Sequence, residues 1–164
     1  MTPSSAATVI AELTERRLTI AVAESLTGGL LVASLVSVPG ASAVVLGGVV
    51  AYNTAIKATV LGVDAQLLEA RGAVDPDVAQ QMATGVRAAL AVAGRPADIG
   101  IATTGVAGPE QQDGKPVGMA YIGIATDAGV FSIELAMSGD RDTIRSGVVS
   151  ESLAELTKLL GQSG

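Results

Sequence analysis

Residues 21–29, AVAESLTGG, are the stretch from which the fold and the chemistry of this sequence are best inferred. An apolar, strand-like run at 18–23 leads into a polar turn at 24–27, and two glycines then open a helix-like segment at 30–36. The first N–H groups of a helix are unpaired and lie at the positive end of its dipole, so this turn suits an anion or a developing oxyanion. Ser25 is therefore a candidate nucleophile.

The length of 164 residues predicts one domain, 1–164, with a core built from Ala, Val, Leu and Ile. The formal net charge of −6 argues against a partner that is nucleic acid or a membrane surface, because proteins that bind either favour basic patches. The chain has no cysteine, which excludes disulfides and thiolate chemistry. Because apolar residues are many and charges few, we expect a homo-oligomer.

The chain also has no histidine, and this limits the chemistry open to Ser25. A Ser-His-Asp triad and the usual nitrogen ligand of zinc are both excluded. A base for Ser25 must then be a lysine, a carboxylate, a tyrosine or the N-terminal amine. The lysines and tyrosines are few: Lys57, Lys115, Lys158, Tyr52 and Tyr121.

The alternation of strand and helix patterns predicts an α/β fold, a mixed β-sheet with helices packed on both faces. The predicted strands cover residues 19–23, 44–52, 99–103, 117–126 and 130–137, the last two joined as a hairpin at 127–129. The almost wholly apolar strand at 44–52 is predicted to be buried on both faces. The predicted helices run from a cap at Ser4 or Ser5 to about 17, then over 30–36, 54 to about 61, 66–70, 76 to about 93, and 141–160.

A membrane span is not expected, although no charged residue occurs between Glu24 and Lys57. A bilayer helix needs about 20 consecutive apolar residues, and the pairs Pro39-Gly40 and Gly47-Gly48 interrupt this run. The N-terminal residues show neither the basic start nor the apolar run of a secretory signal. A cytoplasmic protein is the expectation.

Three predicted strands end in polar turns, and in an open α/β sheet such ends line the ligand cleft. The first end carries Ser25, Thr27 and the two glycines, and the second carries Tyr52 with Lys57 one helical turn beyond it. The third carries Thr104 and Gly105. If these strands are neighbours, the serine and the lysine meet in one cleft.

Each of these residues also has an ordinary structural explanation. Ser25 or Thr27 can cap the following helix, and Lys57 can be a solvated helix lysine. Arg141 and Arg145 lie one helical turn apart, where like charges repel, and Asp142 can offset Arg145. The alternative is that Arg141, at the start of the last helix, contacts an anionic ligand.

Several short motifs, in order over nearly the whole chain, resemble the CinA C-terminal domain family. They are AESLTGG at 23–29, GGVVAYN at 47–53, Lys57 with LGV at 61–63, GAV at 72–74, TGVAGP at 104–109, KPVG at 115–118 and GDRDTIR at 139–145. The family is associated with amidohydrolases that convert nicotinamide mononucleotide to nicotinic acid mononucleotide and ammonia. The resemblance implies a serine–lysine hydrolase assisted by a tyrosine, with these roles on Ser25, Lys57 and Tyr52.

The hypothesis from the sequence is that neutral Lys57 takes the Ser25 proton, directly or through Tyr52, and that Ser25 attacks the nicotinamide carboxamide. Backbone N–H groups near Thr27, Gly28 and Gly29 would hold the oxyanion.

Thr104, Gly105 and Arg141 are the candidate contacts of the ribose and the phosphate, and no metal or redox cofactor is required. Two alternatives stay open: a non-catalytic nucleotide- or phosphate-binding module, and a Ser/Lys amidase for another carboxamide.

Overall fold

The computed structural model describes residues 5–162, and these contain one five-stranded mixed sheet. Its strands are β1 Ile20–Glu24, β2 Val45–Val50, β3 Ile99–Gly105, β4 Met119–Thr126 and β5 Gly129–Ala136. They are ordered β2-β1-β3-β4-β5, with β1 parallel to both β2 and β3. The last two strands are antiparallel and joined by a tight turn, which confirms the predicted hairpin.

The helices are α1 Ser5–Arg16, α2 Leu30–Val36, α3 Thr54–Leu61, α4 Ala65–Arg71, α5 Pro76–Ala89 and α6 Arg141–Gln162, with a short 3-10 turn at Ala41–Ala43. Three predicted helix starts are confirmed, since the side chains of Asn53, Asp64 and Asp75 accept N–H bonds from the first turns of α3, α4 and α5. Ser5 is the first residue of α1, and the other predicted cap, Ser4, lies outside the described residues.

The two faces of the sheet differ in residue size, and this confirms the expected helices on both. Ile20 and Val22 of β1 face the core formed with α1, α2 and α6, whereas Ala21 and Ala23 face the core formed with α3, α4 and α5. Alternation along a strand sends successive side chains to opposite faces, so the sequence itself separates a large-residue face from a small-residue face.

Helix α5 lies unusually close to the small-residue face. A Cβ placed on Gly100 of β3 would lie 2.0 Å from the carbonyl oxygen of Ala83, and one on Gly123 of β4 would lie 2.1 Å from that of Ala79. Both distances are far below van der Waals contact. The two glycines therefore allow the backbone of α5 to rest directly on the sheet.

Two predicted elements differ from the structure. Strand β2 is an edge strand, with the side chain of Val50 48 % exposed, so the prediction that it is buried on both faces is wrong. Its apolar residues are partly buried: Val45 packs against the core formed with α1, α2 and α6, and Leu46 and Val49 pack against the other core. Helix α5 ends at Ala89 instead of near 93, because the backbones of Val92 and Arg95 pair with each other in a tight turn.

The long uncharged stretch between Glu24 and Lys57 is divided among α2, the 3-10 turn and β2. Among residues 5–162, no helix has both the length and the apolarity required to cross a membrane.

The close contact of α5 with the sheet predicts that Gly123→Ala destabilises the fold by about 1–3 kcal/mol, since the added methyl group must push the α5 backbone away. The matched control is Gly161→Ala, because Gly161 lies in α6 with open space around its Cβ position. We expect that control to be neutral or slightly stabilising. Urea denaturation of the two variants measures the difference, and equal midpoints would contradict it.

Candidate active site

The turn that carries Ser25 follows the central parallel strands. Because β1 lies between β2 and β3 and is parallel to both, the carboxyl ends of the three strands meet at one edge. The N–H of Ser25 donates to the carbonyl oxygen of Thr103 at 3.0 Å, and the N–H of Gly28 donates back to the carbonyl oxygen of Ser25 at 3.1 Å. These bonds fix a tight turn and leave the Ser25 side chain largely buried.

Helix α2, which follows this turn, is capped by Glu24. The carboxylate of Glu24 accepts N–H bonds from Leu31 at 2.8 Å and from Val32 at 3.1 Å. Glu24 is the last residue of β1 and is fully buried, so it is not part of a polar turn as predicted. The explanation of Ser25 or Thr27 as the helix cap is therefore wrong, and the hydroxyl of Ser25 is free for other contacts.

Helix α3 brings Lys57 to Ser25. The Nζ atom of Lys57 lies 3.0 Å from Oγ of Ser25 and donates to the carbonyl oxygen of Ala51 at 2.8 Å. The side chain is only 1 % exposed, so Lys57 is not a solvated helix lysine. Among residues 5–162, no carboxylate lies within ion-pair distance of it. A buried ammonium without a counterion is unusual in a folded protein.

Burial lowers the pKa of Lys57 from 10.5 to about 8. The cause is desolvation, which disfavours the charged form of a lysine. With a pKa near 8, about a tenth of the side chains are neutral at pH 7. A neutral amine beside a hydroxyl is the arrangement that proton abstraction from a serine requires.

The other candidate bases are not placed at Ser25. Lys158 pairs with Glu155 on the exposed side of α6, at 2.6 Å. The phenol of Tyr121 contacts the sulfur of Met119 at 3.8 Å. Lys115 lies in a tight turn, where its backbone pairs with that of Gln112. Within the described part of the chain, only Lys57 forms a side-chain hydrogen bond with Ser25.

Tyr52 and Arg141 contact each other at the mouth of the site. One Nη atom of Arg141 donates to the Tyr52 hydroxyl at 3.1 Å, and the other donates to the carbonyl oxygen of Gly108 at 2.6 Å. Tyr52 is 61 % exposed, and among residues 5–162 it forms no hydrogen bond with Ser25 or Lys57. The structure thus places Tyr52 beside the serine–lysine pair without linking it to either partner.

A pocket of about 440 Å³ opens over Ser25, which is within the range of small-molecule sites. Its walls come from the serine turn, the end of β2 with the start of α3, the loop after β3 and the start of α6. The lining residues are Ser25, Leu26, Tyr52, Asn53, Thr54, Gly105, Val106, Ala107, Gly108, Glu110, Gln111, Gln112 and Arg141.

Some predicted contact residues lie outside this pocket. Thr104 is fully buried, and its hydroxyl donates to the carbonyl oxygen of Ala73 at 2.6 Å. Thr27 is also buried, with its hydroxyl 2.7 Å from that of Thr103. Neither they nor Gly28 and Gly29 line the pocket, whereas Gly105 does. Because β3 stays paired with β4 as far as Gly105, residue 104 is still part of the strand. Side chains alternate along a strand, so Thr104 lies on the face opposite Thr103.

Arg145 contacts the serine turn, a role that the sequence alone does not predict. From the sequence, its charge is only expected to be offset by Asp142. The Nε atom of Arg145 donates to the carbonyl oxygen of Leu26 at 2.9 Å, and an Nη donates to that of Thr27 at 3.3 Å. The pairing with Asp142 exists as well, at 3.6 Å, but Asp142 is almost fully exposed. The spacing of Arg141 and Arg145, one turn apart on one helix face, is the feature of the sequence from which contacts of both arginines with the site could be predicted.

The fold and the site define an α/β domain with a five-stranded mixed sheet and a buried serine–lysine pair at the carboxyl ends of its parallel strands. The sequence model of the CinA C-terminal domain matches residues 3–160, so the chain belongs to this family and the resemblance is confirmed. A CinA-like protein of Frankia casuarinae is 47 % identical over 152 residues, which cover 93 % of this chain and 34 % of that protein. The chain spans about a third of the length of the curated relatives it matches.

Solved structures agree with the sequence match. A competence-damaged protein (CinA) superfamily protein of Klebsiella pneumoniae superposes with a TM-score of 0.88 at 32 % identity, covering 96 % of each chain. The competence/damage inducible protein CihA of Agrobacterium tumefaciens gives a TM-score of 0.84 at 32 % identity, covering 97 % of this chain and 98 % of that one.

The low pKa of Lys57 predicts how stability depends on pH. Unfolding returns its pKa to 10.5, so the unfolded chain binds more protons between pH 8 and 10.5 and the wild-type fold gains stability as pH rises through that window. The variant Lys57→Met has no titratable group at this position, so its stability lacks this dependence on pH. We expect the unfolding free energy of the wild type, relative to that of Lys57→Met, to rise by on the order of 2 kcal/mol from pH 7.5 to 10.5.

Urea denaturation of both proteins across this range measures the change. A difference that stays constant with pH would show that Lys57 is not desolvated. Lys158→Met is the matched control, because Lys158 is exposed and its pKa is raised by Glu155 instead of lowered.

Proposed function

We propose that this domain hydrolyses the carboxamide of nicotinamide mononucleotide to nicotinic acid mononucleotide and ammonia. The observation that carries the chemistry is the 3.0 Å contact between Nζ of buried Lys57 and Oγ of Ser25, in a chain without histidine or cysteine. The substrate is taken from the family resemblance, and the pocket above Ser25 is large enough for a small molecule. No metal or redox cofactor is part of the proposal.

The reaction begins when neutral Lys57 accepts the hydroxyl proton of Ser25. When charged, Lys57 donates to Oγ, and when neutral the same separation lets Nζ act as the acceptor. Oγ forms a bond to the amide carbon, giving a tetrahedral oxyanion. The ammonium of Lys57 then returns its proton to the amide nitrogen, the C–N bond breaks and ammonia leaves. Water, deprotonated by Lys57, cleaves the resulting ester and restores Ser25.

We propose that the oxyanion is held by backbone N–H groups of the serine turn, beginning with Leu26. Leu26 lines the pocket directly after the nucleophile, and its N–H forms no hydrogen bond with any described residue. The N–H of the residue after the nucleophile is a donor that other serine hydrolases use for this purpose. The N–H of Gly28 is already bonded to Ser25, so it is not a donor in this proposal.

Tyr52 and Arg141 are proposed to contact the anionic part of the substrate. Arg141 already donates to two neutral oxygens, which a phosphate can replace as a stronger acceptor. Since Lys57 reaches Ser25 directly, proton transfer through Tyr52 is not needed for the first step. Gly105 lines the pocket and is proposed as a ribose contact, whereas the hydroxyl of Thr104 donates to Ala73 and has no proposed contact with the substrate.

A non-catalytic nucleotide-binding module remains the alternative, since the same pocket would serve it. A binding module has no use for a buried, uncompensated lysine at its serine, and this observation favours the enzyme. An amidase for a different carboxamide would keep the pair and change only the pocket contacts. Assaying nicotinamide riboside and simple pyridine carboxamides beside the mononucleotide separates these cases.

The homo-oligomer expected from composition stays a prediction. Exposed apolar side chains of β2 and α3, among them Val50, Ile56 and Val60, are consistent with such contacts. Sedimentation equilibrium of the purified chain measures the state.

The proposed roles predict that Ser25→Ala and Lys57→Met each lower the rate of ammonia release from nicotinamide mononucleotide by at least about 1000-fold. Substrate affinity, measured by calorimetry, should stay within a few-fold of wild type because neither residue holds the nucleotide. Lys115→Met is the matched control and should retain full activity. Turnover retained in either site variant would remove that residue from the mechanism.

The pKa of Lys57 predicts the pH profile of the same reaction. If the neutral amine is the base, kcat/KM rises with pH and levels above about 8, gaining about tenfold between pH 7 and 9. Initial-rate measurements over this range test it. A profile that is flat from pH 6 to 9 would contradict a lysine base.

A further inference from the structure

The turn after Ser25 is attached to the last helix by two kinds of contact. Arg145 of α6 donates to the consecutive carbonyl oxygens of Leu26 and Thr27, which lie 119 and 118 positions earlier in the chain. The side chain of Leu26 packs in one apolar cluster with Ile144 and Val148 of the same helix. The guanidinium therefore sits directly beneath the segment that follows the candidate nucleophile.

These bonds fix the directions of two peptide dipoles. In a planar trans peptide the C=O and the N–H point in opposite directions. Because Arg145 holds the carbonyl of Leu26, the N–H of Thr27, which belongs to the same peptide, is turned away from the guanidinium. The second carbonyl, that of Thr27, shares its peptide with the N–H of Gly28, which donates to Ser25 and closes the turn.

The N–H groups of Leu26, Thr27 and Gly29 have no hydrogen-bond partner among the described residues, and of these three only Leu26 lines the pocket. Arg145 polarises the Thr27–Gly28 peptide, whose N–H donates to the carbonyl oxygen of Ser25. That bond in turn polarises the Ser25–Leu26 peptide and strengthens the Leu26 N–H as a donor. Gly28 contributes by having no side chain, since a Cβ there would lie 3.3 Å from the guanidinium. Donors that are oriented before the substrate arrives stabilise an oxyanion most effectively.

We propose that Arg145 is a positioning residue, which orients and polarises the turn after Ser25 so that the N–H of Leu26 stabilises a tetrahedral oxyanion. The inference rests on the proposed serine chemistry and assigns Arg145 no contact with the substrate. Asp142 serves the arginine only as an exposed partner at 3.6 Å and is not needed for the two carbonyl bonds.

The test uses a fluorophosphonate probe on the full chain, because its reaction does not depend on the amide substrate. Oγ of Ser25 forms a bond to phosphorus, the P–F bond breaks, the serine proton passes to Lys57, and charge develops on the phosphoryl oxygen. We expect Arg145→Gln to lower the second-order labelling rate by about 10- to 100-fold. The kcat for ammonia release should fall by a similar factor, with KM within about twofold and the apparent pKa of the base unchanged.

Asp142→Asn is the matched control, because it removes the ion pair and leaves both carbonyl bonds possible. It should be labelled at the wild-type rate. Arg145→Lys keeps the charge but cannot span two carbonyl oxygens, so an intermediate rate is expected, and this variant decides the matter if Arg145→Gln does not fold.

Wild-type labelling rates in both Arg145 variants would overturn the proposal. So would a loss in which KM rises and the apparent pKa of the base moves, since that pattern indicates general loosening of the site. If the wild type is labelled but releases no ammonia from nicotinamide mononucleotide, the proposed substrate is wrong while the role of Arg145 is still decided by the labelling rates.

Discussion

The site depends on keeping the amine of Lys57 out of water with no carboxylate beside it. Desolvation is unfavourable for an ammonium, and the two acceptors it has, the carbonyl of Ala51 and Oγ of Ser25, are both neutral. The rest of the fold must supply the stability that the burial of this lysine removes, and as a result the lysine is partly neutral at pH 7.

Three parallel strand ends make this arrangement possible. Strand β1 delivers Ser25, β3 holds the Ser25 N–H through Thr103, and β2 leads to the Ala51 carbonyl that orients the lysine. The bond from the Ser25 N–H to Thr103 and the bond from the Ala51 N–H to the carbonyl oxygen of Glu24 both join neighbouring strand ends, so the positions of Ser25 and of the Ala51 carbonyl follow from sheet register. Helix α6 contributes two arginines to the site. Arg141 lines the pocket and donates to Gly108, and Arg145 donates to Leu26 of the serine turn.

Much of this was accessible from the sequence because the chain offers so few reactive groups. Without histidine or cysteine, Ser25 and Lys57 were the natural pair, and the strand ends that carry them were visible as apolar runs followed by polar turns. Burial was harder to read. A strand of valines and glycines has the same sequence pattern at an edge as in the centre, so the burial predicted for β2 is wrong although its position is right. The direction of the Thr104 side chain depends on how far β3 pairs with β4. Such facts are set by tertiary pairing and have no local signal.

The carboxylate of Glu24 leaves the hydroxyl of Ser25 free of the capping role that its position before a helix suggests. A serine before a helix usually serves as its cap, and a capping hydroxyl is occupied by backbone N–H groups. Here the preceding residue does that work from the last position of the strand, with a longer side chain that reaches the N–H groups of Leu31 and Val32. Because a carboxylate satisfies these donors, the shorter hydroxyl of Ser25 is left to Lys57. A serine before a helix is free to pair with a lysine only when a second residue caps that helix, and Glu24 is therefore part of the candidate site although it neither lines the pocket nor contacts Lys57.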